Sequence, residues 1–73
     1  MKGKLEFELP EESEDFFLAS NAQRYHTALF DLDQHLRSQV KYAPDDADDK
    51  VIDALEQVRD KLHEIVREYN IEL

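Results

Sequence analysis

The chain has 73 residues, a formal net charge of −9 and no cysteine, and 41% of its residues are hydrophobic. A chain below about 70–80 residues usually needs disulfides, a metal, unusually good helix packing or a partner subunit, and the absence of cysteine excludes disulfides and thiolate zinc sites here. The negative charge argues against direct binding to nucleic acid or to an anionic membrane, and it favours a basic protein partner.

The first predicted element is a short strand over residues 4–9. Its sequence, "KLEFEL", alternates charged and apolar residues, which is the pattern of a half-buried strand. Pro10 ends this pattern and suits the first turn of a short helix over residues 10–19. Residues 71–73 are a candidate for a short C-terminal strand that pairs with residues 4–9, within one chain or across a dimer.

Two long helices are predicted, over residues 21–42 and 46–70. Ser20 and Gln23 fit a capping box at the start of the first helix, and Pro44 predicts its end, because residues before proline avoid the helical region. The apolar residues of this helix recur at spacings of three and four and form one stripe: Tyr25, Leu29, Leu32, Leu36 and Val40.

The second long helix carries the strongest periodic pattern in the chain. Its apolar residues follow a heptad repeat: Val51, Leu55, Val58, Leu62, Ile65 and Tyr69. Ile52 and Val66 widen this seam beyond what one helix covers, so a homodimer is a candidate assembly. Asn70 fits a left-handed C-cap. Because the connection between the long helices is short, we expect an antiparallel hairpin in a mainly α, single domain spanning residues 1–73.

Two features of the first long helix lie off its apolar stripe. Large aromatic residues are usually buried, so we expect Phe30 to be covered by the N-terminal strand and short helix. The aromatic residues available for this are Phe7, Phe16 and Phe17. Arg37 lies four residues after Asp33, which is the spacing of an ordinary ion pair on a helix surface.

An acidic stretch precedes the second long helix and continues along it. Aspartates are good N-cap residues, and acids in the first turn interact favourably with the helix dipole, which explains part of the cluster formed by Asp45, Asp46, Asp48 and Asp49. Further acids form one row opposite the apolar seam: Asp49, Asp53, Glu56, Asp60 and Glu64. Like charges at these spacings cost about 0.2–0.5 kcal/mol per pair. We predict Asp46 and this row as partner-binding residues, against the alternative of a solvated face that only keeps the protein soluble.

Other chemistry has weaker support in the sequence. An EF-hand loop counted from Asp45 has Lys50 where the turn requires glycine. The pairs Asp31 with His35 and Asp60 with His63 supply two metal ligands each and no third. The single glycine excludes glycine-rich phosphate loops, and no serine lies in a nucleophile elbow. We therefore expect no enzyme activity, no catalytic residues, no metal and no cofactor.

Several segments resemble small acidic, generally uncharacterised proteins encoded by tailed bacteriophages. These segments are "LEFELPEE", "FFLA", "ALFDLDQHLRSQVKY" and "EQVRDKLHEIVREYNIEL", and the most distinctive is the "DLDQHLR" to "KY" run at residues 31–42. The resemblance spans nearly the whole chain and supplies no catalytic residues. The resemblance implies a protein that inhibits or modulates host machinery. The host target would be a nucleic-acid-binding protein or a defence protein. No signal peptide or membrane span is recognised, so we expect the cytoplasm, which is the host cytoplasm for a phage protein.

The leading hypothesis from the sequence is a non-enzymatic acidic binding protein. It would dock the acidic helix face on a basic site of a host protein in the manner of a DNA mimic. The alternative is a small dimeric structural or assembly module whose charge is only solubilising.

Overall fold

The computed structural model describes residues 1–73 and is mainly helical, as predicted. It contains three helices: α1 (Ser13–Ser20), α2 (Ala22–Lys41) and α3 (Asp49–Glu68). None of them combines the length and the apolar composition needed to cross a lipid bilayer.

The predicted N-terminal strand is wrong. Residues 1–8 have no regular secondary structure and residues 9–12 form turns, so the short helix begins at Ser13 and not at Pro10. A strand needs a neighbour to take its backbone hydrogen bonds, and residues 71–73 form no strand that could serve. Phe7 instead packs edge-on against Phe16, with ring centroids 5.8 Å apart at an angle of 74°. The apolar residues of this segment therefore contact α1 and not a sheet.

The junction between α1 and α2 also differs from the prediction. Asn21 alone separates the two helices, and no side chain caps the start of α2, so the capping box of Ser20 and Gln23 does not form. The Asn21 side chain instead donates through Nδ2 to the Phe17 carbonyl oxygen at 2.8 Å, which satisfies the end of α1. α1 buries none of its residues, and Phe30 stays 42% exposed. The expected cover over Phe30 is absent because Phe7 packs on α1.

Helices α2 and α3 pack against each other as an antiparallel pair. Asp33, near the middle of α2, contacts Arg59 and His63 in the second half of α3. His26, near the start of α2, donates to the Glu72 carbonyl oxygen beyond the end of α3. Residues later in α2 thus contact residues earlier in α3, and this order defines an antiparallel arrangement.

Both ends of α3 have clear local causes. The Asp48 carboxylate accepts a hydrogen bond from the Lys50 amide at 2.8 Å, so the helix begins at Asp49, three residues later than predicted. Asn70 has φ 57°, which confirms the predicted left-handed C-cap. The Ile71 amide donates to the Val66 carbonyl at 2.8 Å, which is the six-to-one bond of a Schellman motif.

The hairpin forms a single layer. Only Asp33, Leu36 and Val66 are buried. The molecule measures 57 × 26 × 18 Å and has a radius of gyration of 17.8 Å. A compact domain of this length has a radius of gyration of about 11 Å. The core is therefore one seam between two helices, and it leaves much apolar surface uncovered.

Candidate functional site: the acidic row of α3

The acidic row lies along α3, where the sequence predicted it. Asp49, Asp53, Glu56, Asp60 and Glu64 are all exposed. Their spacings of three and four residues place them on one side of the helix, over about 22 Å at the helical rise per residue. The row faces away from the seam, since Val66 and Leu36 fill the contact with α2.

Most of the row has no ion pair within the chain. Lys61 Nζ lies 3.4 Å from Glu64 Oε1, and the two side chains are 63% and 57% exposed. A pair this exposed contributes little, about 0–1 kcal/mol. No lysine, arginine or histidine forms an ion pair with the other four acids of the row. The row therefore remains a line of largely uncompensated charge.

One edge of the row borders basic side chains of α2. Arg37 and Lys41 line a shallow groove with Glu56 and Asp60. These two bases reduce the negative potential on the α2 side of the row without pairing with it. On the opposite edge, Lys61 pairs with Glu64, and Lys50 lies three residues before Asp53 without pairing with it.

Asp46 lies outside the row. It occupies the turn between α2 and α3, is exposed and forms no ion pair. The structure thus brings together the five helical residues predicted for partner binding, and it places the sixth in the preceding connection.

A buried carboxylate that the sequence interpretation missed joins the two long helices. Asp33 is 5% exposed. Arg59 donates to its carboxylate through Nε at 2.8 Å and through Nη2 at 3.4 Å. His63 donates through Nε2 at 2.5 Å, and Gln34 donates at 3.2 Å. Every oxygen of the carboxylate is thereby hydrogen-bonded, as burial of a charge requires.

These contacts shift the acid–base properties of the pair. The hydrogen bond from Arg59 lowers the pKa of Asp33 to about 2, and this outweighs burial, which raises it. The same bond raises the pKa of Arg59 above its ordinary value. Arg59 is thus committed to Asp33, although it neighbours Asp60 of the acidic row.

The predicted ion pair between Arg37 and Asp33 is therefore wrong. Asp33 points across the hairpin because it lies within the apolar stripe, four residues after Leu29 and three before Leu36. On α3, Arg59 and His63 are four residues apart, so one face of that helix presents both to the carboxylate. An acid inside one stripe and a basic pair on the facing helix are the signals that identify this contact.

The structure adds no third ligand to the histidine and aspartate pairs considered in the sequence. No group of three or more histidine, aspartate or glutamate side chains is arranged to hold a metal ion. The cluster around Asp33 has a structural role, because it ties the middle of α2 to α3.

Comparisons of the chain with protein-family models, with curated proteins and with solved structures gave no match.

Proposed function

We propose that this protein is a non-enzymatic binding protein that docks the acidic row of α3 on a basic site of another protein. One observation carries the proposal: the whole row is exposed, and only Glu64 among its five members is paired within the chain. Arg59 could relieve the row but is held by Asp33 instead. Acids at these spacings destabilise a helix. A row of acids that destabilises its own helix is best explained by a partner protein that binds to it.

The charge density of the row indicates what kind of basic site fits it. Five charges over about 22 Å give one charge per roughly 5–6 Å, at the α-helical rise. Duplex DNA carries one charge per about 1.7 Å, or about 3.4 Å for each strand. The row therefore imitates one nucleic-acid strand at reduced density, and not both strands of a duplex. It fits a narrow basic groove that follows a single backbone.

The partner proposed is a basic host protein that binds nucleic acid or acts in defence, and the protein would be a phage-encoded inhibitor or modulator in the host cytoplasm. The support for a basic partner is electrostatic: the C-terminal part, residues 43–73, has ten acidic and four basic residues. Complementary charge accelerates association and selects against acidic partners. The resemblance to phage proteins supports the setting.

Charge reversal tests the proposal. The variant Asp53→Lys, Glu56→Lys and Asp60→Lys reverses the middle of the row, where every side chain is exposed. The matched control, Glu6→Lys, Glu11→Lys and Glu14→Lys, makes the same change in net charge on exposed acids of the N-terminal part. Each tagged protein is used to capture partners from a bacterial lysate at low and high salt, and circular dichroism verifies that the helices remain.

The expected result is a captured protein that binds wild type and the control at low salt, is released by high salt, and fails to bind the row variant. Salt sensitivity follows because exposed charges are screened. Capture that survives reversal of the row, or that ignores salt, would reject the electrostatic role.

A further inference from the structure

One broad side of the hairpin is apolar and uncovered. It carries two rows of large hydrophobic side chains, one on each long helix, each between two-fifths and three-fifths exposed. These are Tyr25 at 44%, Leu32 at 47%, Val51 at 55%, Val58 at 53% and Ile65 at 42%. The members of each row are seven residues apart, so each row runs along its helix as a nearly straight line. We refer to these five residues as the open face.

The two rows lie on the same side of the hairpin. Leu32 immediately precedes Asp33, and Val58 immediately precedes Arg59, which contacts Asp33. Two consecutive residues of a helix point in directions about 100° apart around its axis, so Leu32 and Val58 each point about 100° away from the contact between the helices. In two facing antiparallel helices, that rotation moves both side chains to the same side. Arg37, Lys41, Glu56 and Asp60 line the groove on the opposite side.

No acidic residue lies between the members of the open face, although the chain has 18 acidic residues; Glu68, three residues after Ile65, borders its end. One helical turn separates each member of a row from the residue that lies between it and the next member. These intervening residues are Ala28 on α2 and Ala54 and Lys61 on α3. The acidic row of α3 lies across the helix from Val58. Charge is therefore segregated to one side and apolar surface to the other, which is the pattern of a helix with two different environments.

The chain exposes more surface than a compact monomer of its mass. The chain has a solvent-accessible surface of 6666 Å². A compact folded monomer of this mass exposes about 4,700 Å², so the excess is about 2,000 Å². A standard interface buries about 800 Å² on each partner. The N-terminal segment and α1 contribute part of this excess, and the half-exposed side chains of the open face contribute another part.

We infer that the open face binds a second copy of this chain, and that two hairpins stack face to face as a four-helix bundle. Between its members the open face carries one charged residue, Lys61, so it can meet its own copy with less repulsion than two acidic sides would. The shortest dimension of one copy, 18 Å, is less than two helix diameters, and stacking supplies the second layer that a stable domain needs. The inference does not depend on the proposed function, and it would place one acidic row on each outer side of the dimer.

Sedimentation measurements on a matched pair of variants test the inference. Leu32→Lys changes the open face, and Phe30→Lys makes the same substitution two residues earlier on the other side of α2. The two side chains are 47% and 42% exposed, so their effects on a single hairpin are comparable. Wild type and the Phe30→Lys control should sediment as dimers of the 8.6 kDa chain, and Leu32→Lys should weaken the dimer at least tenfold. Val58→Lys should behave like Leu32→Lys.

A second readout covers the case in which the dissociated variant unfolds. The melting temperature of a wild-type dimer must rise with protein concentration by mass action, and that of a monomer does not. A wild type that is monomeric at every concentration, with a constant melting temperature, would overturn the inference. So would equal dimerisation of the Leu32→Lys and Phe30→Lys variants. Neither result bears on binding through the acidic row, which the lysate experiment measures separately.

Discussion

Replacing Asp33 with asparagine should destabilise the hairpin, because Asp33 is the one buried charged residue of the chain. The substitution keeps the size of the side chain and removes the charge that Arg59 and His63 contact. Asp31→Asn is the matched control, because Asp31 lies two residues earlier on the same helix, is exposed and forms no ion pair. Surface substitutions of that kind usually change stability by less than about 0.5 kcal/mol.

The magnitude follows from the pKa of Asp33. That pKa falls from an ordinary 3.8 to about 2 in the folded protein. One pKa unit corresponds to about 1.4 kcal/mol, so the carboxylate contributes up to about 2 kcal/mol at neutral pH. Arg59 is 31% exposed and His63 is 36% exposed, so solvent screens part of this contribution. We expect Asp33→Asn to lose about 1–2 kcal/mol at pH 7, or about 5–15 °C in melting temperature.

The pH dependence gives the prediction its sign. Because the folded pKa lies below the unfolded value, the stabilisation is present above about pH 5 and disappears as the pH falls towards 2. Urea unfolding of wild type, Asp33→Asn and Asp31→Asn at fixed protein concentration, from pH 7 to pH 2, measures it. The difference between wild type and Asp33→Asn should shrink to near zero at the acidic end. A difference that stays constant with pH, or that equals the Asp31→Asn value at pH 7, would refute the reasoning.

Three further predictions concern the hairpin. Leu36→Ala should cost about 2–3 kcal/mol in urea unfolding, because Leu36 is one of the few buried apolar residues, and a loss below about 1 kcal/mol would show that the seam is not the core. Asp48→Ala should cost about 1 kcal/mol by removing the cap on the Lys50 amide, and Asp45→Ala, which removes no cap, serves as its control. Asn70→Gly should leave thermal stability unchanged or raised while Asn70→Ala lowers the melting temperature, because the backbone there has φ 57°, and equal melting of the two variants would contradict this account.

The apolar periodic patterns predicted the two long helices and their pairing, although five of the residues in these patterns form the open face and do not pack between the helices. The apolar stripe of α2 and the heptad seam of α3 fixed two helices to within three residues of their observed ends. Asn70 was identified as a C-cap because its residue type tolerates the left-handed region. Helix periodicity and the preference of a residue for a C-cap can both be read from a single segment of the sequence.

The failures involve segments that depend on a neighbour. Residues 4–9 have a strand pattern, but no second strand lies beside them, so the pattern alone could not form a sheet. Phe30 has the size of a core residue, but Phe7 packs against Phe16 and leaves it exposed. The acidic row was found from spacing alone because exposure on one helix follows from periodicity. The partners of Asp33 required the register between two helices, which one helix cannot reveal.

The most direct measurement of the central claim is the stability of a neutralised row. If the acids of α3 weaken the helix and are retained for a positively charged partner, neutralising them should stabilise the fold. The variant Asp53→Asn, Glu56→Gln and Asp60→Asn removes all four like-charge contacts along the row. At about 0.2–0.5 kcal/mol per contact, the free energy of unfolding of this variant should exceed that of wild type by about 1 kcal/mol at low salt. Added salt should reduce this gain, because it screens the repulsion in wild type. A variant less stable than wild type would show that the row serves the fold itself, and would contradict the account.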